Sequence, residues 1–242
     1  MLSHKNKVDI SVILTGYNEG SCVLSNLFKI KDLLTHSRYT WEIILYDDKS
    51  SDNTLNYFKE FAKNNRNIKV FAHQKNTGRG RTIKDAVNES SGEIVGYIDT
   101  DLELSPVYIF EFVKEIINGA DVVIGVRFYT VGASNLIRAI LSKGYIFLMH
   151  ILLKLPFKDT ETGFKFFNKI NILPILKKVK DERWFFDTEI VARSYWAGLK
   201  IAEVPVVYMR NENKLSSVRP IADSIDYLRK ILAFRKITKK KR

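Results

Sequence analysis

The segment Gly92–Pro106, GEIVGYIDTDLELSP, sets an apolar run against three carboxylates, Asp99, Asp101 and Glu103, at every second position. Acids this close repel one another, and an ionised carboxylate is costly to desolvate. Either water solvates all of them or a cation belongs between them. Oxygen donors of this kind suit Mg²⁺ or Mn²⁺, hard ions that commonly share their coordination with substrate phosphates. If the strand continues past Ile98, alternation turns the Asp99 and Asp101 side chains the same way.

Two further clusters have the same character. Asp47 and Asp48 close the run WEIILYDD. A carboxylate near a strand end can recognise the base or ribose of a nucleotide, or it can cap the turn KSSDNT before the next helix. The loop NTGRGR (Asn76–Arg81) is basic, contains glycine and enters a helix. Its backbone N–H groups, with Arg79 or Arg81, could face an anion. It lacks the Gly-Lys-Ser/Thr ending of a P-loop.

Alternating periods position these clusters. β-Rich apolar runs predict strands over Val8–Tyr17, Trp41–Asp48, Asn67–His73, Glu93–Asp99 and Ala120–Arg127. Between them, 3.6-residue spacing predicts helices over Glu19–Leu34, Ser51–Asn64, Gly80–Gly92 and Ser105–Gly119. Strand and helix in alternation give an α/β fold with a parallel sheet covered on both faces. Ligands bind such sheets outside the carboxyl ends of the strands, where every polar cluster above falls. The second half is less regular. It predicts an apolar helical region over about Asn135 to Leu155, a helix near Phe186–Ala197, a strand over Lys200–Arg210 and a last helix from about Arg219. No linker divides the chain, and one domain is expected.

The 242 residues are 45% hydrophobic with a net charge of +12, which implies a globular chain with an anionic partner. Much of the charge lies in RKILAFRKITKKKR (Arg229–Arg242), either a solvated tail or a contact for an anionic surface. Nucleic acid is the poor alternative, because acids at the cleft mouth would repel phosphates. A single cysteine, Cys22, excludes an internal disulfide, and the four histidines show no zinc spacing. The expectation is a chain without a leader peptide. YIFLMHILLKLPF (Tyr145–Phe157), cut by His150 and Lys154, is short for a span and could lie in a membrane interface.

Taken in order, SVILTGYNEG, IILYDDKSSDNT, NTGRGRTIKDA, GEIVGYIDTDLELSP, VVIGVR, DTETGFKFF and IAEVPVVYMR resemble the family 2 glycosyltransferases of GT-A fold. The resemblance is greatest to the polyprenyl-phosphate sugar synthases of the dolichol-phosphate mannose synthase type. It implies one GT-A catalytic domain: a nucleotide-sugar half over 8–127, an acceptor half over 128–219 and a basic helix or tail over 220–242. It also implies a nucleotide-diphosphate sugar donor, Mg²⁺ or Mn²⁺, and inversion at the anomeric carbon. GDP-mannose is the first choice of donor and UDP-glucose the second. Carried over by position, Thr15, Tyr17, Glu19 and Asp47 line the nucleoside pocket. Asp48, Arg79, Thr100, Arg210 and Lys214 join the nucleotide-sugar contacts, the last two as diphosphate clamps. Asp99, Asp101 and Glu103 hold the metal and diphosphate, although Glu103 stands where the family often has Gln. Arg127, Arg138 and Ser142 grip a lipid phosphate. Gly16 replaces a usual proline, and Asn213-Lys214 depart from the late Arg-x-x-Gly-x-Ser-Lys pattern.

A phosphate acceptor needs no general base. Its second pKa is about 6, so it is largely a dianion at neutral pH and needs cations to position it. Asp101 and Arg127 are then the catalytic candidates, with Lys143 as an added cation near the acceptor. Asp159 in KDTETGF is the base if the acceptor is instead a sugar hydroxyl, as in a polysaccharide or glycolipid synthase of the same fold. A polyprenyl or dolichyl phosphate acceptor would place the enzyme in the cytoplasm, peripheral on the cytoplasmic face of a membrane, with the 135–155 helix at the bilayer surface.

Overall fold

The structure is a computed structural model that describes residues 8–129, 146, 149–209 and 220–239. Its strands are β1 (Ile10–Gly16), β2 (Trp41–Asp47), β3 (Ile68–Ala72), β4 (Ile94–Tyr97), β5 (Val122–Tyr129), β6 (Lys165–Asn168) and β7 (Ile201–Tyr208). Its α-helices are α1 (Cys22–Thr35), α2 (Thr54–Ala62), α3 (Arg79–Glu89), α4 (Ile109–Ile117), α5 (Lys169–Leu176), α6 (Phe186–Trp196) and α7 (Pro220–Lys239). The strands form one sheet in the order β3-β2-β1-β4-β6-β5-β7.

Strand periodicity splits the core into two layers. Ile10, Val12 and Leu14 of β1 face one side, where Val23, Leu27, Ile30 and Leu34 of α1, Phe58 of α2 and Phe112 of α4 cover them. Ile13 of β1 faces the other, against Ile83 of α3, Ile172 of α5, Ile190 of α6 and Ile231 of α7. Both layers draw on the first and second halves of the chain. Gly16 is held tightly here: a Cβ on it would lie 2.7 Å from the Phe58 ring. The residue that departs from proline is thus a packing point.

The sequence reading missed β6 and α5. β6 runs antiparallel between β4 and β5, opposing Tyr97 and Ile124 with Lys165. The remaining pairings, β1 with β2 and β4, β2 with β3 and β5 with β7, are parallel as expected. The antiparallel strand has a functional consequence. Its first residues lie at the carboxyl edge of β4 and β5, so the preceding loop KDTETG arrives beside the acidic turn.

Two other expectations change. β4 stops at Tyr97, so Asp99 and Asp101 are not aligned by strand alternation. They lie in a turn in which Leu102 N–H bonds the Asp99 carbonyl at 3.3 Å and Leu102 adopts φ 51°. Of the expected 135–155 helix, only 146 and 149–155 fall within the described residues, with a π-helical turn at Met149–Leu153. Met149, Leu153 and Leu155 are buried in the core, so one face of this portion packs against the rest of the protein, while Ile151 is exposed. At the start of the basic C-terminal run, Ile231 and Phe234 of α7 are buried, and Phe234 stacks on Trp196. Among the described residues no helix is long and apolar enough to cross a membrane.

Candidate active site

The carboxyl ends of β1 and β2 are level, Gly16 opposite Asp47. Asp47 is 1% exposed. Its Oδ2 accepts Ser50 N–H at 2.9 Å, whereas its Oδ1 is buried without a partner in the protein. Such an oxygen carries a desolvation cost that a ligand's donor would remove. Thr15 is half-buried beside it, Tyr17 is exposed, and Glu19 N–H donates to Thr54 Oγ1 at 2.8 Å. Asn18, at φ 56°, joins the loops after β1 and β2 by accepting Ser51 N–H at 2.8 Å.

Asp48 has a different fate. Its Oδ1 accepts Thr77 N–H at 2.8 Å and lies 2.9 Å from His73 Nδ1, and its Oδ2 accepts Gly78 N–H at 2.8 Å. Burial alone would raise its pKa, but these hydrogen bonds outweigh it and hold the carboxyl below its ordinary value. The anion received by the amides of NTGRGR is therefore Asp48 itself, placed just before the α3 N-terminus where the helix dipole favours it. Asp48 thus fastens the loop before α3 through its carboxylate.

Arg79 follows that loop and lies between two acids. Its Nη2 is 2.7 Å from Asp99 Oδ1, and its Nη1 is 2.5 Å from Asp187 Oδ2. Asp187, 2% exposed, also accepts Lys165 Nζ at 2.8 Å and the Tyr97 hydroxyl at 2.5 Å. Burial would raise the Asp187 pKa; Arg79 and Lys165 overcome it and keep the group ionised below the usual range. The guanidinium sits 5.3 Å from the Tyr97 ring centre and 5.8 Å from that of Trp184, an exposed indole at the cleft. Arg81, the other candidate of the loop, pairs instead with Asp85 at 2.7 Å.

Asp99 is 48% exposed along its side chain, with protein packed round its other edge. That packing raises its pKa more than Arg79 lowers it, and Asp101 and Asp187 add repulsion. Gly163 of the ETGF motif is required by this approach, because a Cβ there would come within 1.8 Å of Asp99 Oδ2. Asp101 is half-buried and its Oδ1 lies 3.4 Å from Glu103 N–H. Glu103 takes a short hydrogen bond from the Tyr208 hydroxyl, and Thr100 is buried beneath the turn. Among the described residues no three acidic, histidine or cysteine side chains converge as a ready cation site. Asp99 and Asp101 nevertheless fit a hard divalent ion: both are oxygen donors, they repel each other, and their open side leaves room for a diphosphate to complete the shell.

On the other side of the cleft, Asp159 clasps Arg127 with Nε–Oδ2 at 2.6 Å and Nη2–Oδ1 at 3.0 Å. Burial would raise Asp159; the Arg127 charge and hydrogen bonds lower it, which makes it a weak base. Glu161 Oε2 lies 3.9 Å from Arg127 Nη2. Arg138, Ser142, Lys143, Arg210 and Lys214 lie outside the described residues.

The sequence reading missed Asp187, Lys165, Trp184 and Glu161. A signal existed for the first two: each is a charge set among aromatic residues, in WFFDTE and GFKFF, where only a paired charge is tolerated.

Residues 11–172 match the family model described as Glycosyl transferase family 2. The chain is 27% identical over 220 residues to glycosyltransferase AglD of Haloferax volcanii, covering 88% of this chain and 35% of that protein. It is 26% identical over 245 residues to dolichyl-phosphate beta-glucosyltransferase ALG5C of Trichomonas vaginalis, covering 95% of this chain and 73% of that one. In fold it is similar to glucosyl-3-phosphoglycerate synthase of Mycobacterium tuberculosis in complex with UDP, with TM-score 0.71, 18% identity, and 95% and 80% coverage of the two chains. The same synthase with Mn²⁺, UDP-glucose and phosphoglyceric acid aligns with TM-score 0.68 at 17% identity over 95% of this chain and 80% of that one.

Proposed function

The chain belongs to glycosyl transferase family 2, and from that premise we propose that it transfers glucose from UDP-glucose to a polyprenyl (dolichyl) phosphate with inversion. The named relative acts with glucose, and the structural neighbour binds UDP and UDP-glucose, which favours glucose over the mannose that the resemblance put first. The reading rests above all on the buried, unpartnered Asp47 Oδ1 at the carboxyl end of β2, with the half-exposed Asp99 at the carboxyl end of β4.

Asp47 Oδ1 accepts a donor from the nucleobase, with Thr15 and Tyr17 beside it. Asp99 and Asp101 would hold a Mg²⁺ or Mn²⁺ ion, which when bound neutralises the diphosphate and its growing charge as it leaves. Arg79, fixed by Asp187, keeps Asp99 in place. Arg127 orients the acceptor phosphate. A phosphate oxygen attacks the anomeric carbon, the bond to the nucleoside diphosphate breaks, and a glycosyl phosphodiester forms. No proton has to leave the nucleophile, which agrees with an Asp159 poorly suited to act as a base.

The test is a panel of labelled sugar nucleotides against a short polyprenyl phosphate and against oligosaccharides, with product partition into organic solvent as the readout. UDP-glucose with the phospholipid should give the lipid-soluble product. Label appearing only in oligosaccharide would overturn the acceptor, and label only from GDP-mannose would overturn the donor.

A further inference from the structure

We propose that Glu161 gates the acceptor site by proton linkage: it admits the acceptor phosphate as a carboxylic acid and disfavours it as a carboxylate. The inference rests on the phosphate-acceptor reading above. Its geometric basis is the crowding of carboxylates round Arg127. Asp159 already takes the Nε and one Nη of that guanidinium, and Glu161 is left with the longer 3.9 Å approach. The groups that face Glu161 are Arg127 from β5, Asp159 from its own loop, Asp187 from α6 and the Tyr227 hydroxyl from α7. Its side chain is 33% exposed, so a proton can reach it from solvent.

With Glu161 ionised, the cluster of Arg127, Asp159 and Glu161 carries a net negative charge that repels a phosphate dianion, whereas with Glu161 protonated it is neutral. With Glu161 protonated, one negative charge disappears and the acid offers an O–H to a phosphate oxygen. The surroundings poise that choice near neutrality. Desolvation first, then Asp159 and Asp187, push the Glu161 pKa up to about 7, against the lowering effects of Arg127 and Tyr227. An arriving dianion pushes it higher, so binding above neutral pH draws a proton onto Glu161.

Calorimetry with a short polyprenyl phosphate, in two buffers of different ionisation enthalpy, counts that proton. At about pH 8 the wild type should take up most of one proton per acceptor, with affinity falling about tenfold per pH unit above the Glu161 pKa. Glu161→Gln should take up none and show a flat affinity. Tyr227→Phe, which removes a hydrogen bond to the ionised form, should move the alkaline fall to higher pH. Equal uptake in Glu161→Gln, no uptake in the wild type, or a shift to lower pH in Tyr227→Phe would overturn the gate. Failure of the phosphate reading looks different: no transfer to phospholipid at any pH, with transfer to a sugar hydroxyl that rises through neutrality and is lost in Glu161→Gln. That result would make Glu161 a general base and overturn both.

Discussion

Arg79 and Arg127 stand at the same edge of one sheet, each against carboxylates, but their surroundings differ. Arg79 is shared: Asp187 holds it from beneath, with Lys165 and the Tyr97 hydroxyl, and Asp99 meets it at the cleft. Its buried charges are matched, and the half-exposed Asp99 is presented in a fixed place. Arg127 is clasped by one carboxylate and crowded by a second, so its local charge is already spent before any anion arrives. The first arrangement presents an acid to a cation-bearing ligand. The second makes anion binding depend on what neutralises the surplus carboxylate. Under the proposed function, the first ion-pair network would serve the donor and the second the acceptor.

Breaking the donor-side network should have the largest effect. Asp187→Ala strands Lys165, leaves Arg79 with Asp99 alone, and should destabilise the protein by about 3–5 kcal/mol, read as a large fall in Tm, with loss of transfer. A Tm near wild type would mean that the buried charges are not organised by Asp187. Asp101→Ala should reduce transfer about 10²–10³-fold while leaving the unfolding midpoint nearly unchanged. Normal turnover in that variant would remove the diphosphate from this turn.

On the acceptor side, Asp159→Asn should cost less, about 1–3 kcal/mol at neutral pH, because Arg127 keeps part of its access to solvent. The Asp159 pKa is depressed by folding, so its stabilisation is present above the unfolded value. The difference between wild type and variant should therefore fade as pH falls below about 4, measured by denaturant unfolding across pH. A difference that persists in acid would assign the effect to packing instead. The smallest expected effect is that of Asp47→Asn, which keeps the shape and the Ser50 bond but weakens the acceptor. Donor KM should rise about tenfold with little change in Tm, since one hydrogen bond to a charged group is worth about 1.5–3 kcal/mol. An unchanged KM would separate the buried Oδ1 from the nucleotide.

The layered sheet was legible because its helices and first strands carry strong periodicity, as Val23, Leu27, Ile30 and Leu34 illustrate. β6 was not: KFFN is four residues long, and Lys165 is as buried as its phenylalanine neighbours because Asp187 pairs it. The acids of the cleft were legible by type, but their partners were not. Arg79 and Asp187 are 108 residues apart, and nothing local in either segment encodes their meeting. Asp48 illustrates the same limit. Adjacent to Asp47 and chemically identical to it, it turns to the loop before α3 while Asp47 keeps an oxygen unpartnered. Glu161 looks ordinary in sequence; its raised pKa arises from desolvation and from acids brought together by the antiparallel strand.

The most direct test of the account is ³¹P and ¹H NMR of the isolated lipid product made with UDP-glucose. A phosphodiester phosphorus coupled to a β-anomeric glucose proton is expected. A product whose phosphorus remains a monoester, with glucose attached elsewhere, would contradict it.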